Sequence, residues 1–524
     1  MLIPTLWAAI SGVLCYGLLR LRFLRNTQYA HLPGPPTSLL WGHLKVIAQI
    51  IWPNPAKHFV LLDLRPAFYP IAVIHSHELA EQISKATTEF RYSVPKAPLQ
   101  EVIGHVIGSN SFLMSNGEKW KHTRKAFNVG FAPTHLATFI PQILEKVQIF
   151  LQGLDVYAES GKEFNLGERC TLLTFDVIGR AILDINLNSQ GKDSEQHEVV
   201  RCFRELLANL SFWPQLEWLI SPSNYSRRME LTNTIDTSLR SIARDKFDKL
   251  HSDKSETSDR SVLSLSLKSI DSLDSQAMQE SIDSIRTFLF AGYDTTSVVL
   301  QWAFYELSRT PRALTALREE LDRILGPNAE PSAIADAILS DVGKVNQLSY
   351  LSAVIKETLR LHPPAGTSRF VPPGTNFRLQ TNKGPLCVDG IILYINHFSI
   401  QRDRTVHGES AEAWIPERWL ESRDESIPAS SWRPFERGPR NCIGQELVNL
   451  EARLVLAMTA RRYDITKVGI GAPVLMSDGV ANVDEWGQYL ITEPLYDTFN
   501  MSAKPVDGTM VTVRYRQQNE SIGN

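Results

Sequence analysis

One cysteine constrains this chain more than any other residue. Cys442 sits in the run Phe435-Glu436-Arg437-Gly438-Pro439-Arg440-Asn441-Cys442-Ile443-Gly444. The Gly438-Pro439 pair favours a turn, and Ile443-Gly444 opens an amphipathic helix through Leu447, Leu450 and Leu454. That places Cys442 at a helix N-terminus beside Arg440, where the helix dipole and the guanidinium both favour a thiolate. A lone cysteine ordinarily serves as a small buried hydrophobe, but the Phe/Gly/Arg/Cys/Gly spacing argues for a ligand. A thiolate on such a loop suits the axial position of haem iron, where it pushes electron density toward O–O cleavage. The other cysteines, at 15, 170, 202 and 387, make no Cys-x-x-Cys pair, which argues against a disulfide scaffold or a zinc ribbon.

Three further constellations carry chemistry. A long helix is expected from about Ala277 to Arg309, stopped by Pro311, with Ala291-Gly292-Tyr293-Asp294-Thr295-Thr296 at its middle. A glycine and two adjacent threonines are poor choices for a helix valued only for stability. Gly292 admits close approach to the backbone, and Thr hydroxyls bond to carbonyls and bend the helix. The resulting groove suits dioxygen, with Asp294 and Thr295 relaying protons. A second helix, over about 345–361, ends at Pro363-Pro364 and puts Glu357 and Arg360 on one face, at i and i+3. Such a pair, taken singly, is a solvated surface pair worth little. Trp120 and Arg124 share a helical face at i and i+4, and an Arg fork suits a carboxylate such as a haem propionate. Standing alone, that segment reads as an amphipathic helix with a buried Trp.

The amino terminus differs from the rest. No residue from Leu2 to Leu19 is charged, a run of about 27 Å at ~1.5 Å per helical residue, and Arg20, Arg22 and Arg25 follow at once. A cleaved signal would place its positive charge before the apolar run; the positive-inside rule puts everything after residue 20 in the cytosol. Residues 1–25 are therefore expected to be a membrane anchor, 26–50 a stiff hinge around His31-Leu32-Pro33-Gly34-Pro35-Pro36, and 51–524 one catalytic domain. At 43% hydrophobic and 21% charged the chain is globular, not disordered, collagenous or a multi-span transporter. A formal charge of −3 gives no sign of a nucleic-acid partner. Residues 134–250 read as mainly helical, His251 to Gln276 as a mobile surface connection, 365–396 as short strands and turns, and Thr509–Val513 as a strand.

These motifs resemble the cytochrome P-450 superfamily. Positions 435, 438, 440, 442 and 444 match its Phe-x-x-Gly-x-Arg-x-Cys-x-Gly loop, and residues 291–296 match its Ala/Gly-Gly-x-Asp/Glu-Thr-Thr/Ser helix. The whole loop resembles filamentous-fungal members of secondary metabolism. The resemblance implies a single, mainly α fold with small β-sheets around haem b, preceded by one transmembrane helix. It makes Cys442 the iron ligand, with Phe435, Gly438 and Gly444 shaping the cofactor loop. Trp120, Arg124, Arg440 and Arg369 would hold the propionates, and Thr295 and Asp294 would manage protons. It also implies that Glu357, Arg360 and Arg418, the last in Pro416-Glu417-Arg418-Trp419, form a buried structural triad. Glu436 and Val448 depart from the family pattern and read as peripheral; Trp419 in place of Phe reads as conservative; Gln401 stands where a His is usual.

The implied reaction is insertion of one atom of O2 into a lipophilic small molecule, with electrons from NADPH through a cytochrome P-450 reductase and cytochrome b5 as a further partner. Gly469-Ile470-Gly471 lacks the third glycine of a dinucleotide fingerprint, so the electrons come from a separate protein. Lys119, Lys121, Lys125, Arg433 and Arg437 read either as a basic patch that suits that acidic donor or as scattered surface charge. By the same resemblance the pocket draws on Val102, Val106, Phe112, Phe288, Ala291, Gly292 and Ala365, with the catalytic domain on the cytosolic side of the endoplasmic reticulum. A fatty-acid or alkane hydroxylase is the alternative among substrates. A haem-thiolate isomerase or dehydratase is a second alternative, against which the intact Asp294-Thr295 pair argues; a non-enzymatic haem-binding protein is a third.

Overall fold

The computed structural model describes residues 59–516 except 66–67, 99, 210–216, 253–258, 269, 421–426, 478 and 480, together with residues 16, 17, 20 and 23. The expected anchor and hinge, residues 1–50, otherwise lie outside the described residues. Among the described residues, no helix is long and apolar enough to cross a membrane. The chain divides into two compact units: Met1–Pro98 with Gly366–Ala411 and Ile427–Asn441, and Leu99–Ala365 with Glu412–Ser426 and Cys442–Asn524.

The first unit is built on a four-stranded sheet in the spatial order Phe59–Leu62, Ile71–Ile74, Ile392–Ile395, Thr367–Phe370. The outer pairings are antiparallel and the central one, Ile71 to Ile392, is parallel. Side chains alternate across a strand, so Phe59 and Leu61 enter one apolar cluster with Leu79, Ile83 and Leu393, while Val60 and Leu62 enter another with Val73. Burial on both faces explains why Phe59–Leu62, Ile71–Ile74 and Ile392–Ile395 are unbroken apolar runs, whereas the edge strand Thr367–Phe370 alternates. Helix α1 (His77–Ser84) packs its Leu79 and Ile83 into the first cluster, its N-terminus capped by the Ser76 side chain.

The second unit is helical. Its helices of eight residues or more are α2 (Gln100–Ile107), α3 (Gly117–Asn128), α4 (Ile140–Ser160), α5 (Leu166–Leu183), α6 (Glu198–Ala208), α7 (Pro222–Leu250), α8 (Ser275–Arg309), α9 (Pro311–Leu325), α10 (Pro331–Ser340), α11 (Ser349–Leu361) and α12 (Gln445–Ala460). A three-stranded sheet (Phe164–Asn165, Met510–Tyr515, Tyr463–Lys467) and a hairpin (Asp497–Asn500 with Ser502–Pro505) complete it. Helix α8 has 35 residues, begins where the Asp274 carboxylate accepts the Ala277 amide, and is followed at once by Pro311 in α9. It is buried on nearly every side against α5, where Tyr293 stacks on Phe175 at 4.2 Å. A Cβ on Gly292 would stand 2.4 Å from Ile178 Cδ1, so this glycine exists for helix–helix contact.

Two sequence expectations are corrected here. Within His251–Gln276, residues Val262–Leu267 form a helix with Val262, Leu263 and Leu267 buried, capped by Ser261; apolar side chains at these spacings outweigh the polar composition around them. The helix expected over 345–361 is divided at Leu348 into Lys344–Gln347 and α11, because the Glu320 carboxylate accepts the Tyr350 and Leu351 amides and starts a new helix there.

Candidate functional site

Cys442 is an exposed cysteine that precedes the first residue of α12, whose N-cap is Gly444. It thus lies just outside the helix rather than in its first turn. In the same unit, Trp120 is buried on α3 and the Arg124 guanidinium lies 6.0 Å from its ring centre. Burial lowers the Arg124 pKa, while the negative charge of Cys442 acts in the opposite direction, so cation and sulfur lie within electrostatic reach.

Helix α8 carries the other expected site residues. From Ser281 to Leu307 every residue is buried except Phe290, Ala291, Gly292 and Thr295. Ala291 is exposed and Thr295 partly so, one turn apart on one face, and the Thr295 hydroxyl donates to the Ala291 carbonyl at 2.7 Å. Asp294 points elsewhere: its carboxylate is buried, accepts from Ser502 Oγ at 2.5 Å, and pairs with the Lys504 ammonium. Of the residues expected to line a pocket, Phe288 is buried at the centre of an aromatic cluster, with ring centres 5.0 Å from Phe112, 4.8 Å from Phe127 and 5.3 Å from Phe131. Val106 is buried, Ala365 is half-buried, and the side chain of Val102, on α2, lies outside the described residues.

Glu357 is a fully buried hub. Its Oε1 accepts from Arg360 Nη2 (2.8 Å), Arg418 Nε (2.9 Å) and the Ile415 amide (2.9 Å); its Oε2 accepts from Arg360 Nε (2.8 Å) and Trp419 Nε1 (2.8 Å). Burial alone raises its pKa, but the two guanidiniums and the amide outweigh that and hold it at about 2. Trp419 is therefore not a conservative replacement for Phe, because its indole N–H is one of the five donors. Trp419→Phe is expected to lower stability by about 1.5–3 kcal/mol, the cost of a hydrogen bond to a charged group, in urea unfolding. A second buried hub escaped sequence reasoning altogether. Glu306 bonds His362 Nε2 at 2.9 Å and accepts from Gln488 Nε2 at 3.1 Å, while His362 stacks on Trp302 at 3.7 Å.

In the first unit, Arg369 is fully buried, and Nε, Nη1 and Nη2 have no hydrogen-bond partner among the described residues. Burial lowers its pKa to about 10, with Glu436 opposing and Arg433 adding to the effect. A buried guanidinium in this condition calls for an anion. Arg440 is also buried, and Phe435 packs edge-on to Trp432 at 6.1 Å. Gly438 has φ +75°, and a Cβ there would meet the Ser84 carbonyl at 2.1 Å, which pins the loop against the end of α1.

The departures from the family pattern acquire roles here. Glu436 is not peripheral: its side chain is 7% exposed, accepts from Ser84 Oγ at 2.8 Å, bonds His397 Nε2 at 3.3 Å, and pairs with Arg433. Burial pushes its pKa up, but His397 and Arg433 outweigh this and hold it well below the usual carboxylate range. Gln401 accepts the Arg433 amide at 2.8 Å. Arg433 is itself only 1% exposed and so belongs to no surface patch, while Arg437 pairs with Glu81 and Lys119 with Glu280.

The family model for cytochrome P450 matches residues 32–480, and the chain belongs to that family. Over 422 residues it is 31% identical to the cytochrome P450 monooxygenase acrF of Aspergillus aculeatus, covering 77% of this chain and 83% of the relative. It is 29% identical over 486 residues to the cytochrome P450 monooxygenase polC of Polytolypa hystricis, covering 84% and 83%. A cytokinin hydroxylase of Arabidopsis thaliana is 25% identical over 513 residues, covering 93% and 95%. The chain is a haem-thiolate monooxygenase: its cofactor is haem b, and it uses O2 with electrons drawn from NADPH through a reductase. The residues fit such a group, since Arg369 is a buried cation whose nitrogens have no hydrogen-bond partner among the described residues, Cys442 has an exposed thiol, and α8 exposes Ala291 and Thr295.

Proposed function

We propose that Cys442 ligates the haem iron, that Trp120, Arg124, Arg369 and Arg440 hold the propionates, and that the substrate is a lipophilic small molecule of fungal secondary metabolism. The bound haem supplies activation of O2. Glu357, Arg360 and Arg418 hold the fold, and Phe435, Gly438 and Gly444 hold the cysteine loop. The substrate pocket draws on Ala291 and Ala365, with Val106, Phe112 and Phe288 as its apolar part and Val102 included by the family resemblance, while Gly292 serves it by letting α5 pack against α8. The uncharged run Leu2–Leu19 followed by Arg20, Arg22 and Arg25 supports an anchor in the endoplasmic reticulum membrane, with residues 51–524 as the cytosolic catalytic domain. There a membrane reductase, and cytochrome b5 beside it, deliver the electrons.

The observation that carries the reading is the Ala291–Thr295 face on an otherwise buried helix, in the unit that holds Cys442. Thr295 is the hydroxyl placed to pass protons there. In reductase-reconstituted enzyme oxidising NADPH without substrate, Thr295→Ala is expected to turn nearly all reducing equivalents into hydrogen peroxide rather than water. Peroxide per NADPH equal to that of the parent enzyme would remove Thr295 from this role.

A further inference from the structure

The Asp294 carboxylate, one residue before Thr295, is 1% exposed and faces the carboxyl-terminal hairpin. Ser502, on the inner part of that hairpin, is equally buried and donates to Asp294 Oδ2 at 2.5 Å. Lys504, two residues on and so on the same side of its strand, pairs with Oδ1 while keeping 31% of its side chain exposed. The hairpin is also fastened by the Ala503 amide, which donates to the Pro364 carbonyl at 2.8 Å. One ammonium thus touches both bulk water and a carboxylate buried in the middle of α8. An ion pair kept only for stability gains little from one exposed and one buried member, because desolvating the carboxylate is costly. A proton path needs that asymmetry.

We infer that Lys504 is the solvent-side end of the proton path to Asp294, a positioning residue that acts on the reaction only through that carboxylate. The inference rests on the reading of Asp294 and Thr295 given above. The ammonium passes a proton to the Asp294 carboxylate and regains one from water, and Asp294 passes its proton toward the Thr295 face. Without substrate, two outcomes compete. One NADPH, one proton and one O2 give NADP+ and one hydrogen peroxide; two NADPH, two protons and one O2 give two NADP+ and two waters. The second outcome needs the additional protons at the oxygen, so an impaired supply shifts the balance toward peroxide.

The discriminating variant is Lys504→Arg. Arginine keeps the charge and the ion pair but does not release its proton. In reductase-reconstituted enzyme with NADPH and O2, both Lys504→Arg and Lys504→Met are expected to lower water formation by about ten-fold relative to peroxide. Amide hydrogen exchange over 497–505 should remain at the parent level in Lys504→Arg and rise in Lys504→Met. Wild-type peroxide yield in Lys504→Arg, or in both variants, overturns the proposal. Should Arg also loosen the hairpin, Ser502→Ala decides, because it weakens the latch and keeps the ammonium: a peroxide yield as high as that of the Lys504 variants overturns the proposal, and a lower one supports it. Thr295→Ala in the same assay separates this inference from the reading beneath it. If Thr295→Ala raises peroxide and the Lys504 variants do not, only the role of Lys504 fails; if Thr295→Ala is also silent, the proton-handling reading fails.

Discussion

Cys442→Ser is expected to leave a folded chain that has lost its chemistry completely. The purified, reduced variant treated with carbon monoxide should lack the red-shifted Soret band of sulfur ligation, and NADPH-dependent oxygenation should fall to background. The physical reason is a division of labour. The Cys442 side chain is exposed and precedes α12 rather than packing within it, so the substitution removes no packing from the polypeptide, and any loss of stability should come through weaker haem binding. A thiolate is a strong electron donor to iron and a serine hydroxyl is not. Urea unfolding and the carbon monoxide spectrum, measured on one preparation, check both halves. A retained red-shifted band would take Cys442 out of the cofactor site and the proposed assignment with it.

Glu357→Gln is the opposite case, with the chemistry intact in principle and the fold lost. The exchange keeps size and one acceptor oxygen but strands the Arg360 and Arg418 guanidiniums, 0% and 9% exposed at their side chains, without their shared counter-charge. Breaking a buried ion pair in this way costs about 3–5 kcal/mol, a large share of what a domain possesses. The expected result is protein recovered mostly unfolded or haem-free, with any soluble fraction showing a lowered urea midpoint. Acid should act through the same group in the parent. The folded-state pKa of Glu357 is about 2 against an ordinary 4.5, so its contribution is fully present above pH 4.5 and is lost as pH falls through 2. The part that disappears is about 3 kcal/mol by linkage. The stability gap between parent and Glu357→Gln should therefore close over that window; a gap independent of pH would mean that the charge of Glu357 is not what holds the hub together.

Much of the helical frame was legible from spacing. The long helix around Thr295, the end of α11 at Pro363-Pro364 and the Trp120/Arg124 face depend on residues within four positions of one another, and helix geometry turns such spacing directly into shared faces. The burial of Glu357 and Arg360 was not legible in that way, since an i,i+3 pair reads the same in water or in a core. The role of Trp419 is hidden in the sequence, because the indole N–H matters only if an acceptor stands opposite, and that acceptor lies 62 positions away. Arg433 reads as surface charge in the sequence for a similar reason. Its partner Ser84 is 349 positions distant, and nothing near Arg433 in the chain signals it.

The amino-acid order by itself determined where a thiol, a hydroxyl and a carboxylate stand on their helices and loops, because each of those placements is settled by nearest neighbours in the chain. Only the tertiary structure decided the electrical surroundings of the charges: Arg369 buried away from water, Glu436 enclosed by His397 and Arg433, Asp294 turned toward Lys504. A buried charge responds to every group packed around it, and folding draws those groups from distant parts of the chain.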